Sequence, residues 1–510
     1  MKKFLLSIYL TLSLSSFAQD SIAINFANTI NVEDLKEHLY VLATDSLEGR
    51  ETGEKGQKLA ADYIARHFEK IGIPPYNGET YYQEFPLLNQ TLENSSLTIN
   101  KELAFLEDYY TSPFYGSTAL EFESIQCIGF GIDEMDCSDY RTIDVKDKVV
   151  LIFTIDLLGD KEKSKIATIE TIDWEYQLEK AYQHGAKAVF FVDENVKSKL
   201  KRYSAYFTKE KRNVFIEGAK FKLPFAFIDA EDLKNTLGIS AKKLLKKVNR
   251  CKHPTYKVKG SFSTEVKENL LQGENVLGYL EGSDLKEELL VITAHYDHLG
   301  IHDGVIHNGA DDDGSGTVAV LELAEAFAKA KAAGNGPRRS ILFMPVAGEE
   351  MGLLGSSYYA ENPVFPLENT IADLNIDMIG RMDENHEGNP DYVYLIGADK
   401  LSTELHQISE DANTYYTQLE LDYTFNDPED PNRFYYRSDH YNFAKNNIPV
   451  IFYFNGVHAD YHKATDTVEK IHFGKIATIS KLIFHTAWQL VNQDKRIEVD
   501  VKSDFKNNRR

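Results

Sequence analysis

From Asn275 onward this chain alternates short apolar runs with longer helical periods, and no other feature limits its fold as tightly. The runs "NVLGYLEG", "ELLVITAHYD", "RSILFMPVAGEE", "TIADLNIDMIG", "DYVYLIGAD" and "IPVIFYFNG" are rich in β-branched and aromatic residues and read as strands. The stretches "GTVAVLELAEAFAKAKA", "LSTELHQISEDA" and "GKIATISKLIFHTAWQLVNQ" carry apolar residues at helical spacing. Strands that alternate with helices build an α/β layered sheet. Ligands of such sheets bind outside the carboxyl ends of the strands.

The residues at those ends are chemically selective. "ELLVITA" ends in His295-Tyr296-Asp297, and "RSILFMPVA" ends in Gly348-Glu349-Glu350. "TIADLNI" ends in Asp377, and "IPVIFYF" leads to a loop with Tyr461-His462. The helix "TVAVLELAEAFA" is preceded by Asp311-Asp312-Asp313. Solvated loop tips would not place His, Asp or Glu at every one of these positions. Three adjacent carboxylates repel one another, and a multivalent cation reverses the sign of that problem. Histidines with several carboxylates suit zinc and, less specifically, manganese or cobalt. There are more carboxylates than one tetrahedral ion needs. Two ions sharing a bridging carboxylate, ~3.5–4 Å apart, fit better. Gly314 and Gly316 let the backbone turn tightly into the following helix. The alternating ligand spacing of an EF-hand is absent.

At 510 residues the chain is too long for one ordinary domain, and two units are expected. "MKKFLLSIYLTLSLSSFAQD" has two lysines, an apolar run and a small-x-small site, as in an export signal cleaved after Ala18. "NVEDLKEHLYVLATD" places Leu35, Leu39 and Leu42 on one helical face. "EKGQKLAADYIARHFEKIG" does the same with Leu59, Tyr63, Ile64 and Phe68, after a glycine-bearing turn, "LEGRETG". Between about residues 97 and 260 the texture changes to short strand runs such as "KDKVVLIFTID" and "KAVFFVDE". From Lys187 to Gly260 there are nineteen Lys and Arg against seven Asp and Glu, which marks a separate module. Its basic residues read most simply as a solvated face. The whole chain has a formal charge of −23, which argues against nucleic acid and anionic membrane as partners. Three cysteines leave one disulfide open, with Cys127 and Cys137 as the nearest pair.

"AHYDHLG", "GADDDGSG", "AGEEMGLLGS", "LNIDMIG" and "DYHKATDTVEKI" together resemble, in order and spacing, the motifs of the secreted bacterial double-zinc aminopeptidases. "LEGRETGEKGQKLAADYIARHFEKIGI" is similar to that family's N-terminal region. The strand runs of the middle module resemble the protease-associated domain that many members carry. The resemblance implies a three-layer αβα mixed-sheet zinc-peptidase domain, residues 19–96 and 261–510, interrupted by a smaller α/β insert, residues 97–260. It implies two zinc ions. Asp312 would bridge them, with His295 and Asp377 completing one site and Glu350 and His462 the other. Glu349 would be the general base, and Tyr461 would polarise the substrate carbonyl. Asp297 would hold the imidazole of His295 from behind. Asp313 would follow a cis peptide bond. Arg437 would contact substrate.

The activity so implied is removal of N-terminal residues from peptide or protein substrates by an exported, periplasmic or extracellular enzyme. A carboxypeptidase or dipeptidase reaction on the same scaffold and a non-catalytic binding protein stay open, and glutaminyl cyclase fits the aspartate triplet poorly. His302 and His307 read as solvated loop residues. The acidic segment "FNDPEDPNRFYY" reads as a surface loop, with a specificity loop or a weak calcium site as alternatives.

Overall fold

The computed structural model describes residues 20–502 except 135–136, 158–171, 208–211, 217–222 and 249–252. The export signal and the tail from 503 lie outside the described residues. A seven-stranded sheet runs Gly278–Leu280, Arg339–Val346, Leu285–His295, Thr370–Ile376, Val450–Phe454, Tyr392–Ile396, Glu420–Asp422. Its central strands, Arg339–Val346 through Val450–Phe454, are parallel. Gly278–Leu280 and Tyr392–Ile396 pair antiparallel with their inner neighbours. The carboxyl ends of the parallel strands therefore share one edge.

Side chains of Leu285–His295 alternate between two cores, as a strand buried on both faces requires. Leu290, Ile292 and Ala294 meet one helical layer. Leu289 and Val291 meet the other. The first layer holds Val32–Leu42, Lys55–Lys70, Gly316–Ala332 and Phe473–Asn492. The second includes the short helices Leu354–Glu361 and His440–Ala444. Gly316–Ala332 is apolar almost all round, and it is enclosed by the sheet and by neighbouring helices.

The helix Lys55–Lys70 departs from its expected face. Ile64 and Phe68 are buried, but Leu59 stands 40% exposed and Tyr63 is only half-buried. Ala60, Ala61 and Ala65 fill the contact instead. Small residues allow close approach, and a leucine on that seam would hold the helices apart.

A second, nine-stranded sheet starts from two long strands, Tyr82–Ile99 and Thr255–Val276, paired antiparallel. Phe85 and Leu87 near one end of this ribbon belong to the core of the seven-stranded sheet. Leu97, Ile99 and Phe262 near the other end belong to the core of the nine-stranded sheet. Val149–Phe153, Ala188–Asp193 and Phe225–Asp229 continue that sheet in parallel. Cys127 is a buried, free thiol, so the Cys127–Cys137 bond left open by the sequence is not made. Burial pushes that thiol up to about 12.

Candidate metal centre

The carboxyl edge of the seven-stranded sheet gathers the residues read from the strand ends. His295 closes its strand, and its Nε2 lies 3.2 Å from Asp312 Oδ1 and 3.6 Å from Asp377 Oδ1. His462 Nε2 lies 3.2 Å from the other oxygen, Asp312 Oδ2, and 3.2 Å from Glu350 Oε2. The two oxygens of Asp312 thus face two different ligand sets. Ser438 Oγ donates to Asp377 Oδ2 at 2.7 Å, which leaves Oδ1 turned to the site.

One residue in this constellation was missed. His298, three residues past His295, is fully buried, and its Nδ1 lies 2.7 Å from Glu350 Oε1 and 3.8 Å from Asp312 Oδ2. The sequence signal was present in "AHYDHLG", but only its first histidine ends a strand. The turn after Asp297 brings the second one back.

Several of these atoms are buried without a hydrogen-bond partner: His295 Nε2, both nitrogens of His298, Asp312 Oδ2 and Glu350 Oε1. An orphaned buried polar atom is costly, and a cluster of them converging on the same space needs a common partner. Among the described residues two groups could each hold a metal ion, His295, Asp312 and Asp377 and His298, Asp312 and Glu350. An N/O donor set around a shared carboxylate suits a pair of dications such as zinc.

The aspartate triplet divides its work. Asp311 Oδ1 accepts from Gly380 N at 2.6 Å, and its Oδ2 faces His458 Nε2 at 3.2 Å. Asp313 accepts from Gly316 N at 2.8 Å, Met378 N at 3.0 Å and His295 N at 3.2 Å. The Asp312–Asp313 peptide is cis, as the resemblance implies. Asp466 Oδ2 accepts from the amides of Asp311 and Asp312, at 3.0 and 3.2 Å. His458 and Asp466 lie on the loops around Tyr461-His462, where no periodicity distinguishes them from other polar loop residues.

Asp297 is fully buried behind His295, with Oδ1 3.6 Å from its Nδ1. Thr52 Oγ1 donates to Asp297 Oδ2 at 2.7 Å, and Glu349 N donates to Oδ1 at 3.3 Å. Such backing fixes the tautomer and orientation of a ligating imidazole. Burial pushes the Glu349 carboxyl well above its ordinary value. The His295 imidazole opposes this, and Asp377, Glu350 and Asp439 add to it. Burial works against ionisation of Asp312, yet His295, His462 and His298 hold its carboxyl well below the usual range.

A cleft opens over this floor. Asp312, Glu349 and Asp377 lie at its base, with Phe434, Arg437 and Tyr461 among its walls. Tyr461 stacks on His462 at 3.8 Å. The Arg437 guanidinium lies over the Phe434 ring at 4.8 Å. The segment "FNDPEDPNRFYY" therefore contributes a cleft wall. Asp430 ties it internally by accepting from the amides of Asn432 and Phe434, both at 3.0 Å. Beside the cleft, Gly300–His302 and Val305–His307 form a hairpin. His302 is exposed there, whereas His307 is half-buried, with the two rings 5.4 Å apart. His307 is thus partly shielded and not a fully solvated residue.

Comparison with known proteins agrees with this geometry. Residues 275–487 match the model of peptidase family M28. A probable zinc metalloprotease of Leptosphaeria maculans is 37% identical over 110 residues, 21% of this chain and 24% of the relative. A probable leucine aminopeptidase of Arthroderma otae is 30% identical over 211 residues, 40% of this chain and 54% of the relative. The chain thus spans from about a quarter to about half the length of these curated relatives. In fold, the aminopeptidase from Aneurinibacillus sp. strain AM-1 superposes with a TM-score of 0.55 at 18% identity, covering 94% of this chain and 98% of that one. Residues 275–487, which carry the strand ends gathered at this edge, are thus the part of the chain similar to peptidase family M28.

Proposed function

We propose that this protein is an exported zinc aminopeptidase that hydrolyses N-terminal residues from peptides at a two-metal centre. The observation that carries the reading is the placement of Asp312, whose two oxygens face separate histidine and carboxylate sets. The leucine aminopeptidase and zinc metalloprotease relatives support the substrate class and the metal. For the described residues, no helix is long and apolar enough to cross a membrane. Export rests on the N-terminal leader pattern.

Zinc held by His295, Asp377, Asp312, Glu350 and His462, with His298 beside Glu350, would activate water and polarise the scissile carbonyl. The residues of the chain do the rest. Glu349 ligates nothing in this arrangement and lies at the cleft floor, placed to take a proton from the attacking water. Burial raises the pKa of this carboxyl, so the same group can hold that proton and deliver it to the leaving amine. The Tyr461 hydroxyl, kept protonated by burial and by Asp312 and Glu350, can donate a hydrogen bond to the oxygen that gains charge. Burial of Asp297 and Asp313 beneath these groups fixes their positions before substrate arrives.

Arg437 favours a second reading. No carboxylate pairs with its guanidinium among the described residues, and a substrate carboxylate could dock there, as in a dipeptidase or carboxypeptidase. Purified protein with zinc, incubated with free and N-acetylated peptides and followed by mass spectrometry, separates the two. An aminopeptidase trims only free N-termini, stepwise, and Glu349→Gln lowers kcat by at least ~10²–10⁴-fold while zinc content stays the same. Trimming from the C-terminus irrespective of acetylation would move the enzyme to the carboxypeptidase class. No trimming of either set would leave a binding protein.

A further inference from the structure

The turn "LEGRETG" contains a residue that no part of the proposed chemistry uses. Arg50 is 1% exposed, although its guanidinium is permanently charged. Among the described residues no carboxylate lies within ion-pair distance of it. Four backbone carbonyls solvate it instead. Nε donates to Tyr296 O at 2.7 Å, and Nη1 donates to Leu42 O and Asn308 O, both at 2.6 Å. Nη2 donates to Gly309 O at 2.9 Å. The Arg50 carbonyl in turn accepts from His298 N at 3.3 Å.

These partners come from separate parts of the chain. Leu42 ends a helix, Tyr296 separates His295 from Asp297, and Asn308 and Gly309 lead into the aspartate triplet. The charges of Asp297, Asp466, Asp312 and Asp313 all act on the guanidinium. Two residues on, Thr52 holds Asp297. A planar fork of five donors can bind several carbonyls at fixed angles, which a lysine ammonium cannot reproduce.

We propose that Arg50 is a positioning residue for the metal centre, a buried clamp and countercharge that holds the loops of His295, His298 and Asp312 in ligating geometry before any ion binds. The inference rests on the two-metal reading above. Its energetic logic is preorganisation: a ligand set already in place binds ions without first ordering its loops. Removing an outer partner of a metal site typically weakens binding by ~10–100-fold.

The test measures zinc binding by competition with a chromophoric chelator for the parent, Arg50→Lys and Arg50→Gln. The expected result is two equivalents in the parent and a dissociation constant ~10–100-fold higher for at least one equivalent in both variants. The loss should be larger for Arg50→Gln, which also lacks the charge. Variants that are less heat-stable but bind zinc within twofold of the parent would reduce Arg50 to a structural residue and overturn the proposal. A parent that binds no zinc would overturn the metal reading together with it. If neither variant folds, amide hydrogen exchange on the metal-free parent decides. Retained protection at His298 and across 309–314 supports the clamp. Exchange at unstructured rates there, restored only by zinc, overturns it.

Discussion

Asp312 turns its two oxygens to separate histidine and carboxylate sets because Asp311 and Asp313 are engaged elsewhere. Asp311 faces Gly380 N and His458, and Asp313 collects three amides from the strand ends and the helix start. The triplet is a division of labour in which like charges point in different directions. His298 gives a testable consequence at this scale. His298→Ala should weaken zinc on the Glu350 side by ~10–100-fold and leave the His295 side less affected, read as a split between two metal dissociation constants. Equal loss at both would show that the histidine supports the whole edge. His440 gives a second. It is fully buried, stacked on Phe452 at 4.7 Å, and burial lowers its pKa from 6.5 to about 3. The folded state therefore keeps it neutral. Its contribution is complete above pH 6.5 and is lost as pH falls from 6.5 toward about 3, by up to ~1.4 kcal/mol per pH unit. His440→Phe should flatten the acid side of a plot of melting temperature against pH. Parallel curves for parent and variant would reject the assignment.

At the scale of elements, the helix Gly316–Ala332 and the strand Leu285–His295 bring the ligands to one place because their ends interlock. Gly316 is the closest point. A Cβ there would lie 2.5 Å from both Asp313 carboxylate oxygens and from Ile376 O. Its φ of −71° is ordinary, so the demand for glycine is one of space and not of backbone freedom. Gly316→Ala should cost ~1–3 kcal/mol of stability through overpacking and should also lower zinc occupancy, since Asp313 must move. Chemical denaturation with and without zinc measures both. Gly474→Ala is the control for a substitution without a neighbour to displace, because its φ is not positive and a Cβ there would meet only His472 ring atoms, at 3.5 and 3.7 Å.

In the whole molecule, the ribbon of Tyr82–Ile99 and Thr255–Val276 belongs to the nine-stranded sheet, and it leaves one core and enters another. Leu88 faces Leu270 across this ribbon, just beyond the Phe85 and Leu87 anchors. A two-residue turn joining the strands after Leu88 and before Leu270 would remove the second sheet and leave the first core closed. We expect that variant to fold and to accept longer peptides if the removed module restricts access to the cleft. An unchanged length preference, measured by competition among peptides of graded length, would leave the module without that role.

The strands and helices after Asn275 were legible because period-two and helical apolar patterns are local properties of the chain, and both-face burial of parallel strands makes the runs conspicuous. The clustering of His295, Asp312, Glu350, Asp377 and His462 was legible because they stand at or just beyond strand ends or just before a helix start. The face of Lys55–Lys70 was misjudged because close packing preferred Ala60 and Ala61 to Leu59, a choice made by the neighbouring helix and invisible in periodicity. His298, His458, Asp466 and Arg50 escaped for a related reason. Each acts through a turn or loop that returns to the sheet edge, and contact across tens or hundreds of residues leaves no local signature. Which elements form and which chemistry stands at their ends follow from short-range pattern and side-chain type, and so can be read along the chain. Which histidines and carboxylates each oxygen of Asp312 faces, and which buried charge lies beneath them, depend instead on how distant loops close over one edge in the folded chain.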